Sequence, residues 1–337
     1  TENAAGMRED LQALAASSAG NIALNNYQAQ APLVYQGDQS ATTVYQARSF
    51  EGVIHKPWRI GSFSLLSRGH VSEQPDYDAE PVTAEAETSI KRNVKDRFAF
   101  ERGRQAGNFL HKCLENIEFD SSTPQQISQT VERLLPQFGL DIQWTEVVSQ
   151  WLQDLLKTPL DAGNNLRLSD LPASQRINEM AFYFPVAGLN MSALKKVLQQ
   201  TAKDSVWQKL ANDLYFQDLT GFMKGFIDLV FEYEGRFYIA DYKSNHLGSD
   251  PSQYQGEALQ NAMLSHSYPL QYLIYSLALH RHLKQRLPDY DPEMHFGGVY
   301  YLFLRGMQPE WSQTGVYFDR LDRQLLEALD KLMAGDL

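Results

Sequence analysis

The chain has 337 residues, of which 43% are hydrophobic and 21% charged, so its composition is that of a folded globular protein rather than a disordered one. Its net charge of −11 argues against a protein that binds nucleic acid over its whole surface, although a small basic channel stays compatible. The single cysteine, Cys113, excludes an intrachain disulfide, a Cys-based zinc site and a four-cysteine iron–sulfur cluster. The sequence shows no signal peptide and no apolar run close to the ~20 residues that a membrane-spanning helix needs. We therefore expect a cytoplasmic protein with no membrane partner.

The first part of the chain, residues 1–57, shows one short helical pattern from Met7 to Ser17 and then loosely patterned polar sequence. It has no core of its own, and we interpret it as the tail of a larger preceding region with its linker. Residues 58–337 are predicted to form one domain. Within that domain, residues 71–89 carry six carboxylates and two prolines but no Lys or Arg, which is typical of a solvated, mobile linker.

Further elements follow from hydrophobic periodicity. The pattern predicts helices over 98–115, 125–138 and 145–156, a strand over 177–184 ended by Pro185, two strands within 221–243, a helical region over 252–287 broken near Tyr268, a buried strand over 297–304 and a closing helix over 321–333. This order indicates a mixed α/β domain. The chain has no Walker A motif and no glycine-rich dinucleotide fingerprint, so we expect no bound nucleotide.

Two aspartates are predicted to face each other in the hairpin over 221–243. If Glu234 and Gly235 form a two-residue turn, Asp228 lies directly opposite Asp241, with both side chains on one face of the sheet. A four-residue loop gives the same register, whereas a three- or five-residue loop offsets the two aspartates. The strand period of two then places Lys243 beside Asp241 on that face.

Opposed like charges destabilise a sheet, and these two lie in apolar sequence, so something must compensate them. Mg²⁺ does so naturally, because it prefers oxygen ligands and is commonly held by one or two carboxylates. A lysine beside the ion could orient a water or offset the charge that develops on a phosphoryl group. The alternative is an edge hairpin whose Asp and Lys form a solvated salt bridge. The Asp-x-Lys spacing favours the metal site.

The segment Gly225-Phe226-Ile227-Asp228, followed after twelve residues by Asp241-Tyr242-Lys243-Ser244, resembles the PD-(D/E)xK nuclease motif in its RecB-type form. Other segments resemble RecB-type nucleases in the same order, over roughly residues 58–337. They lie at 58–64, 107–111, 271–280 and 296–306. The resemblance implies an α/β fold with a restriction-endonuclease-like core, in which a mixed central sheet is flanked by helices and carries helical additions.

The resemblance also implies a set of site residues. His111 matches the family's metal-binding histidine, although a lone histidine on an apolar helix face is more often a core residue. Imidazole is softer than the ligands that Mg²⁺ usually selects, so we expect Mn²⁺ to be tolerated. The backbone carbonyl of Tyr242 is a further implied ligand. Glu179 matches an acid that precedes the hairpin, and two interpretations stay open for it: a carboxylate near the metal or a solvated residue at a strand end.

DNA-binding residues are implied in the region after the hairpin. Gln271 and Tyr275 match a Gln-xxx-Tyr element and lie on one helix side, which favours a role near the DNA strand, with the core as the alternative for Tyr275. The segment after them is the densest basic stretch of the chain, and Arg281, Lys284 and Arg286 are our candidates for contacts with DNA. The alternatives are a solvated face or a surface that binds a protein partner.

The implied function is a Mg²⁺-dependent exo- or endodeoxyribonuclease of the exodeoxyribonuclease V type, acting mainly on single strands fed by a helicase in double-strand-break repair. Asp228, Asp241, Lys243 and Glu179 are the expected catalytic residues, with Lys243 protonated rather than a neutral general base. Implied partners are RecC, RecD, the rest of a RecB polypeptide and the RecA recombinase. The competing hypothesis is a non-catalytic module that guides DNA or docks proteins; a sequence-specific restriction endonuclease fits less well.

Overall fold

The computed structural model describes residues 4–27, 58–63, 95–161, 166–201, 218–311 and 314–336. The predicted linker over 71–89 and residues 28–57 lie outside these ranges. The chain divides into two units, Thr1–His55 and Lys56–Leu337. The first contains helix α1, Ala4–Ser17, which confirms the predicted N-terminal helix. The assignment of residues 1–57 to the tail of a preceding region stays a prediction.

The second unit is built on one mixed sheet, to which the described residues contribute six strands. They are β1 Arg59–Gly61, β2 Arg176–Leu189, β3 Leu219–Tyr233, β4 Arg236–Lys243, β5 Phe296–Phe303 and β6 Val316–Asp319. The strand order is β1-β3-β4-β5-β6, and β2 pairs with β3. The pairs β1–β3 and β4–β5 are parallel, while β2–β3, β3–β4 and β5–β6 are antiparallel. The expected mixed central sheet is thereby confirmed.

Helices cover both faces of this sheet. They are α2 Arg104–Asn116, α3 Pro124–Leu134, α4 Thr145–Lys157, α5 Met191–Thr201, α6 Gly256–Ser265, α7 Tyr268–Arg286, α8 Pro292–His295 and α9 Arg323–Ala334. One hydrophobic core lies between the sheet and α5, α6, α7 and α9, and a second lies between the sheet and α2, α3 and α4. None of the helices in the described ranges has the length and hydrophobicity needed to cross a membrane.

Two predicted boundaries were wrong. Helix α2 begins at Arg104 rather than near residue 98, because Asp96 caps a separate turn through the amides of Phe98 and Ala99. Strand β2 does not end at Pro185 but continues to Leu189. Among the described strands β2 pairs only with β3, and the Pro185 carbonyl points outward to accept a hydrogen bond from Arg281 Nη1. At such an outward position the missing N–H of proline costs no ladder hydrogen bond.

In β2 and β3 the side chains that face one side of the sheet change to the other side at one point along the strands, and we call this point the face exchange. In β3, Met223 and Ile227 belong to the core under α7, whereas Leu229 and Phe231 belong to the core under α2. The paired β2 strand changes with it: Met180 and Phe182 face the first core, while the Asn178 side chain donates to the Glu115 carbonyl of α2. The exchange occurs at Glu179, whose φ is 50°, in register with Asp228.

Candidate functional site

The hairpin between β3 and β4 has the predicted register. Glu234 and Gly235 have φ values of 51° and 75°, which two-residue turns of type I′ require, and the ladder pairs Tyr233 with Arg236 through to Leu229 with Ala240. Asp228 and Asp241 occupy the next position, one residue beyond the last pair of the regular backbone ladder. Both carboxylates are buried, with relative exposures of 5% and 2%. Two acids are therefore brought together inside the protein.

Lys243 lies in the same buried environment. Its Nζ is 2.7 Å from Oδ2 of Asp241, as the period of β4 predicted, and the side chain is buried. The ammonium group also lies 4.2 Å from the centroid of the Tyr268 ring, where a cation–π contact is favourable. The alternative of a solvated salt bridge on an edge hairpin is wrong, because β4 is paired on both sides and these side chains are buried.

Helix α2 brings His111 to the two strands. Its Nε2 lies 3.1 Å from the backbone carbonyl oxygen of Tyr242, and its Nδ1 lies 3.5 Å from Oδ2 of Asp228. The imidazole is buried and meets the Tyr242 ring edge-on, with ring centroids 5.5 Å apart. The contact between Nε2 and the carbonyl oxygen is itself a hydrogen bond. Its length is also close to the roughly 3 Å between neighbouring ligands of an octahedral Mg²⁺ ion, so the two atoms are near enough to bind one ion.

Glu179 completes a group of possible metal ligands. One ligand atom each of His111, Glu179 and Asp228 lies within 4.8 Å of the others. The left-handed φ of Glu179 is unusual for a non-glycine residue and turns the strand at the position opposite Asp228. Asp241 lies outside this group, with Oδ2 on Lys243. A donor set of one imidazole and two carboxylates, in which His111 and Asp228 are buried and Glu179 is half-buried, fits a divalent cation.

The surroundings push the pKa values of the two aspartates apart. Burial by itself raises the pKa of Asp228, but His111, Lys243 and the Tyr242 amide outweigh it and hold that pKa below its usual value. Burial raises the pKa of Asp241 to about 7, against the opposing effect of Lys243 and with a further rise from Asp228. Asp228 is therefore the acid of the pair that is charged at neutral pH. Two carboxylates with separated pKa values are characteristic of catalytic sites.

Gln271 and Tyr275 lie beneath the acids in the core rather than on a surface. Both are 8% exposed, and Gln271 Nε2 donates to the Tyr275 hydroxyl at 3.0 Å. The Tyr301 hydroxyl donates to Gln271 Oε1, also at 3.0 Å. Burial raises the pKa of Tyr275 well above its usual value, and Asp241 and Asp228 add to the rise. Both residues thus belong to a buried hydrogen-bond network close to the two aspartates. Their direct contact with DNA stays a prediction.

The basic segment lies farther along α7. Arg281 Nε donates to Asp330 Oδ1 at 2.6 Å, and Lys284 Nζ is 3.4 Å from the other oxygen of that carboxylate. Arg286 is exposed near the helix end. At 1.5 Å per residue, these three residues lie about 9 to 16 Å beyond Tyr275 along the helix axis. The structure does not bring them to the acids.

Sequence reasoning missed Arg305, which is fully buried. Its guanidinium donates to the carbonyl of Ser244, directly after Lys243, and to the carbonyls of Phe100 and Glu101, ahead of helix α2. It therefore fixes the helix that carries His111 against the strand that carries Lys243. An arginine directly after an apolar strand was the available signal, but nothing local in the sequence distinguishes it from a solvated residue.

Comparison with known proteins agrees with this geometry. A family model described as the PD-(D/E)XK nuclease superfamily matches residues 88–337. That range includes the imidazole, both aspartates, the glutamate and the lysine of the site. The expected restriction-endonuclease-like fold is confirmed.

The chain is also similar to the RecBCD enzyme subunit RecB of several bacteria. It is 36% identical to the Escherichia coli K12 protein, over 99% of this chain and 28% of that protein. For Haemophilus influenzae Rd the identity is 34% over 85% of this chain and 24% of the relative, and for Mycobacterium tuberculosis CDC 1551 it is 31% over 78% and 27%. The chain thus spans about a quarter of the length of these relatives. The match to the family model over most of its length, together with the site it contains, shows that the chain belongs to the PD-(D/E)XK nuclease superfamily.

Proposed function

We propose that this chain is a Mg²⁺-dependent deoxyribonuclease that hydrolyses phosphodiester bonds, mainly in single strands. The observation that carries the proposal is the burial of Asp228 and Asp241 beside Lys243 and His111. Uncompensated carboxylates are costly inside a protein, and one lysine does not neutralise two of them. A bound dication compensates the remaining charge and at the same time polarises a phosphate.

The proposed ligands are His111, Asp228, Asp241, the Tyr242 carbonyl and Glu179. Asp241 has a second carboxylate oxygen with which to bind while Oδ2 keeps its contact with Lys243. When bound, the ion supplies Lewis-acid activation of the phosphate and lowers the pKa of a bound water. Because these ligands are oxygens except for one imidazole nitrogen, Mg²⁺ fits the set and Mn²⁺ is also accommodated.

Lys243 is proposed to act as a cation that holds the attacking water and stabilises charge on the phosphoryl oxygens. The nearby carboxylate of Asp241 favours the protonated ammonium form, which can donate hydrogen bonds but cannot bind a metal. Its position between the acids and the Tyr268 ring restricts its movement. A charge that is already oriented costs no reorganisation when the phosphate reacts.

The biological setting proposed for this activity is a cytoplasmic RecBCD-type enzyme that degrades DNA during double-strand-break repair. The relatives named above are RecB subunits of such an enzyme, and a helicase in the rest of that polypeptide would deliver the single strand. RecC, RecD and RecA are the proposed protein partners. An acidic chain suits this arrangement, because the other subunits would bring the DNA to it.

A cleavage assay tests the proposal. The chain is incubated with labelled single-stranded DNA, with Mg²⁺ or with a chelator, alongside Asp241→Asn and the matched control Asp289→Asn. Asp289 is exposed in the loop before α8, so this control carries the same chemical change away from the site. We expect wild type and the control to cleave only with metal, and Asp241→Asn to lose at least 99% of the activity without unfolding. Intact DNA with wild type in Mg²⁺ and in Mn²⁺ would support the non-catalytic module instead.

A further inference from the structure

The face of β1, β2 and β3 that points away from α7 carries four neighbouring aromatic rings, of which three are exposed and Phe222 is half-buried. We call them the aromatic strip: Trp58, Tyr183, Phe222 and Phe226. Trp58, Tyr183 and Phe226 are 63%, 55% and 51% exposed. The rings of Tyr183 and Phe222 are stacked, with centroids 4.5 Å apart and planes 7° from parallel. Trp58 meets Phe222 edge-on at 5.7 Å. The strip is thus an ordered surface of aromatic faces and not a scatter of single apolar residues.

The aromatic strip does not serve the core. Its residues alternate along the strands with core residues such as Phe182, Phe184 and Met223, which point to the opposite face under α7 and α9. Large apolar groups that stay exposed side by side usually mark a binding surface. Flat rings standing on a sheet offer one kind of contact in particular, since every unpaired nucleic-acid base has a face that stacks on them.

Charge identifies the class of partner. Although the whole chain carries −11, β2 from 180 to 189 and β3 from 219 to 227 contain no Asp or Glu. Lys224 stands exposed among the rings, in register with Tyr183. The groove beside Tyr183 and Phe222 is also lined by Arg281 and Lys284 of α7 and by Asp330 of α9, whose carboxylate contacts both cations. The two strand segments that carry the rings thus hold Lys224 and no carboxylate in a chain that is acidic as a whole, and two more cations line the groove with one shared acid. Such a surface is complementary to a polyanion with stackable groups.

Position relates the aromatic strip to the candidate metal site. Phe226 precedes Asp228 by two residues, and Phe222 precedes it by six, so the strip begins about 7 Å from the acid and reaches about 20 Å along β3. The face exchange at Glu179 and Asp228 puts the strip on the same side of the sheet as helix α2, which carries His111. A single strand of DNA that lies on the rings would therefore reach the metal ligands at one end of the aromatic strip.

We propose that the aromatic strip and Lys224 form a binding surface for single-stranded DNA, with bases stacked on the rings and phosphates near Lys224 and Lys284. Single strands fit because duplex bases present no free faces. The location of the surface next to the cleavage site rests on the proposed nuclease function, but DNA binding by the rings does not. The surface also gives the basic segment of α7 a place in DNA binding, at the far side of the groove from β3.

Binding measured in chelator separates this inference from cleavage. We would titrate a fluorescein-labelled 15-mer of deoxythymidine with the full chain and follow anisotropy, using Tyr183→Ala, Phe222→Ala and the ring-retaining variants Tyr183→Phe and Phe222→Tyr. Stacking contributes about 1–3 kcal/mol per base, so each alanine variant should weaken binding at least about fivefold. The ring-retaining variants should bind within about twofold of wild type.

Ile177→Ala is the matched control. Ile177 is 52% exposed on β2 but lies beyond Glu179, on the opposite face from Tyr183. Its truncation should leave affinity unchanged. Circular dichroism melts establish that the variants are folded, and quenching of tryptophan fluorescence by DNA, reduced in Trp58→Phe, gives a second measurement. Wild-type affinity in folded Tyr183→Ala and Phe222→Ala would overturn the inference and leave the strip as a protein-docking face. Absent cleavage with ring-dependent binding would instead contradict only the nuclease proposal.

Discussion

The backbone amide of Tyr242 donates a 2.8 Å hydrogen bond to Oδ2 of Asp228. The regular ladder between β3 and β4 has its last pair at Leu229 and Ala240, so this side-chain contact continues the pairing after the backbones have stopped pairing. Asp228 therefore links both strands to His111 while remaining charged in the folded protein. A substitution of Asp228 should therefore weaken metal binding more than it destabilises the fold.

Mg²⁺ should raise the melting temperature of the wild-type chain, and Asp228→Asn should lose most of the increase. A ligand that binds only the folded state stabilises it by mass action, by about 2.7 kcal/mol at a hundred times its Kd. Asparagine can still accept from the Tyr242 amide, so the metal-free fold should persist. Differential scanning calorimetry with and without Mg²⁺ measures both effects, with Asp289→Asn as the matched control. An equal response of Asp228→Asn and wild type would place the ion elsewhere.

Lys243→Gln should keep metal binding and lose turnover by about 10²- to 10³-fold, the range for removing one preorganised group that stabilises developing charge. Loss of a ligand lowers metal affinity, whereas loss of a group that acts in the transition state lowers kcat with ground-state binding kept. Mn²⁺ titration calorimetry and single-turnover cleavage near pH 8 separate the two effects. Near-wild-type cleavage removes Lys243 from the mechanism, and a large loss of Mn²⁺ affinity makes it part of the metal site.

In the metal-free protein, the contribution of Asp241 to the free energy of unfolding should fall as the pH rises from about 4 to 7. Its pKa of about 7 in the folded state lies above the ~3.9 of an unfolded aspartate, so in this window the folded chain holds a proton that the unfolded chain has released. Raising the pH then favours the unfolded state, and Asp241→Asn should flatten this part of the profile. Chemical unfolding in chelator across the window measures the difference; parallel profiles for both proteins would contradict it.

Arg305→Met should destabilise the chain by at least about 3 kcal/mol, because several buried carbonyls lose their donor at once. The exposed Arg286→Met is the control, for which we expect a change within about 0.5 kcal/mol. Urea unfolding provides both free energies. If the two variants are equally stable, Arg305 does not hold α2 to the end of β4.

The hairpin was predictable because everything that determines it is local. Glu234 and Gly235 specify a two-residue turn, the turn sets the register, and the strand period places Lys243 beside Asp241. The position of Gln271 and Tyr275 on one side of a helix was equally local. Whether that side faces DNA or the core depends on what packs against the helix, and the sequence pattern left this open.

Three other features depend on distant parts of the chain, and the sequence pattern did not predict them. A period-two analysis assumes that a strand keeps one face inward, so the exchange of faces at Glu179 cannot be seen in it. Pro185 looked like a strand end because a proline cannot donate to a ladder. In the structure its carbonyl meets Arg281, 96 residues later in the chain, and the strand passes through. The interior position of Arg305 is likewise fixed by segments about 200 residues apart.

The exchange of faces in β2 and β3 makes the two hydrophobic cores depend on the same strands. Local opening at Glu179 and Asp228 would expose Ile227 to water on one side and Leu229 on the other. Such an opening would disturb both hydrophobic cores at once, so the β3 amides that flank Asp228 should be among the last to exchange with deuterium. Asp228 would then lie on a slowly exchanging part of the backbone, and its position would stay constant from one turnover to the next.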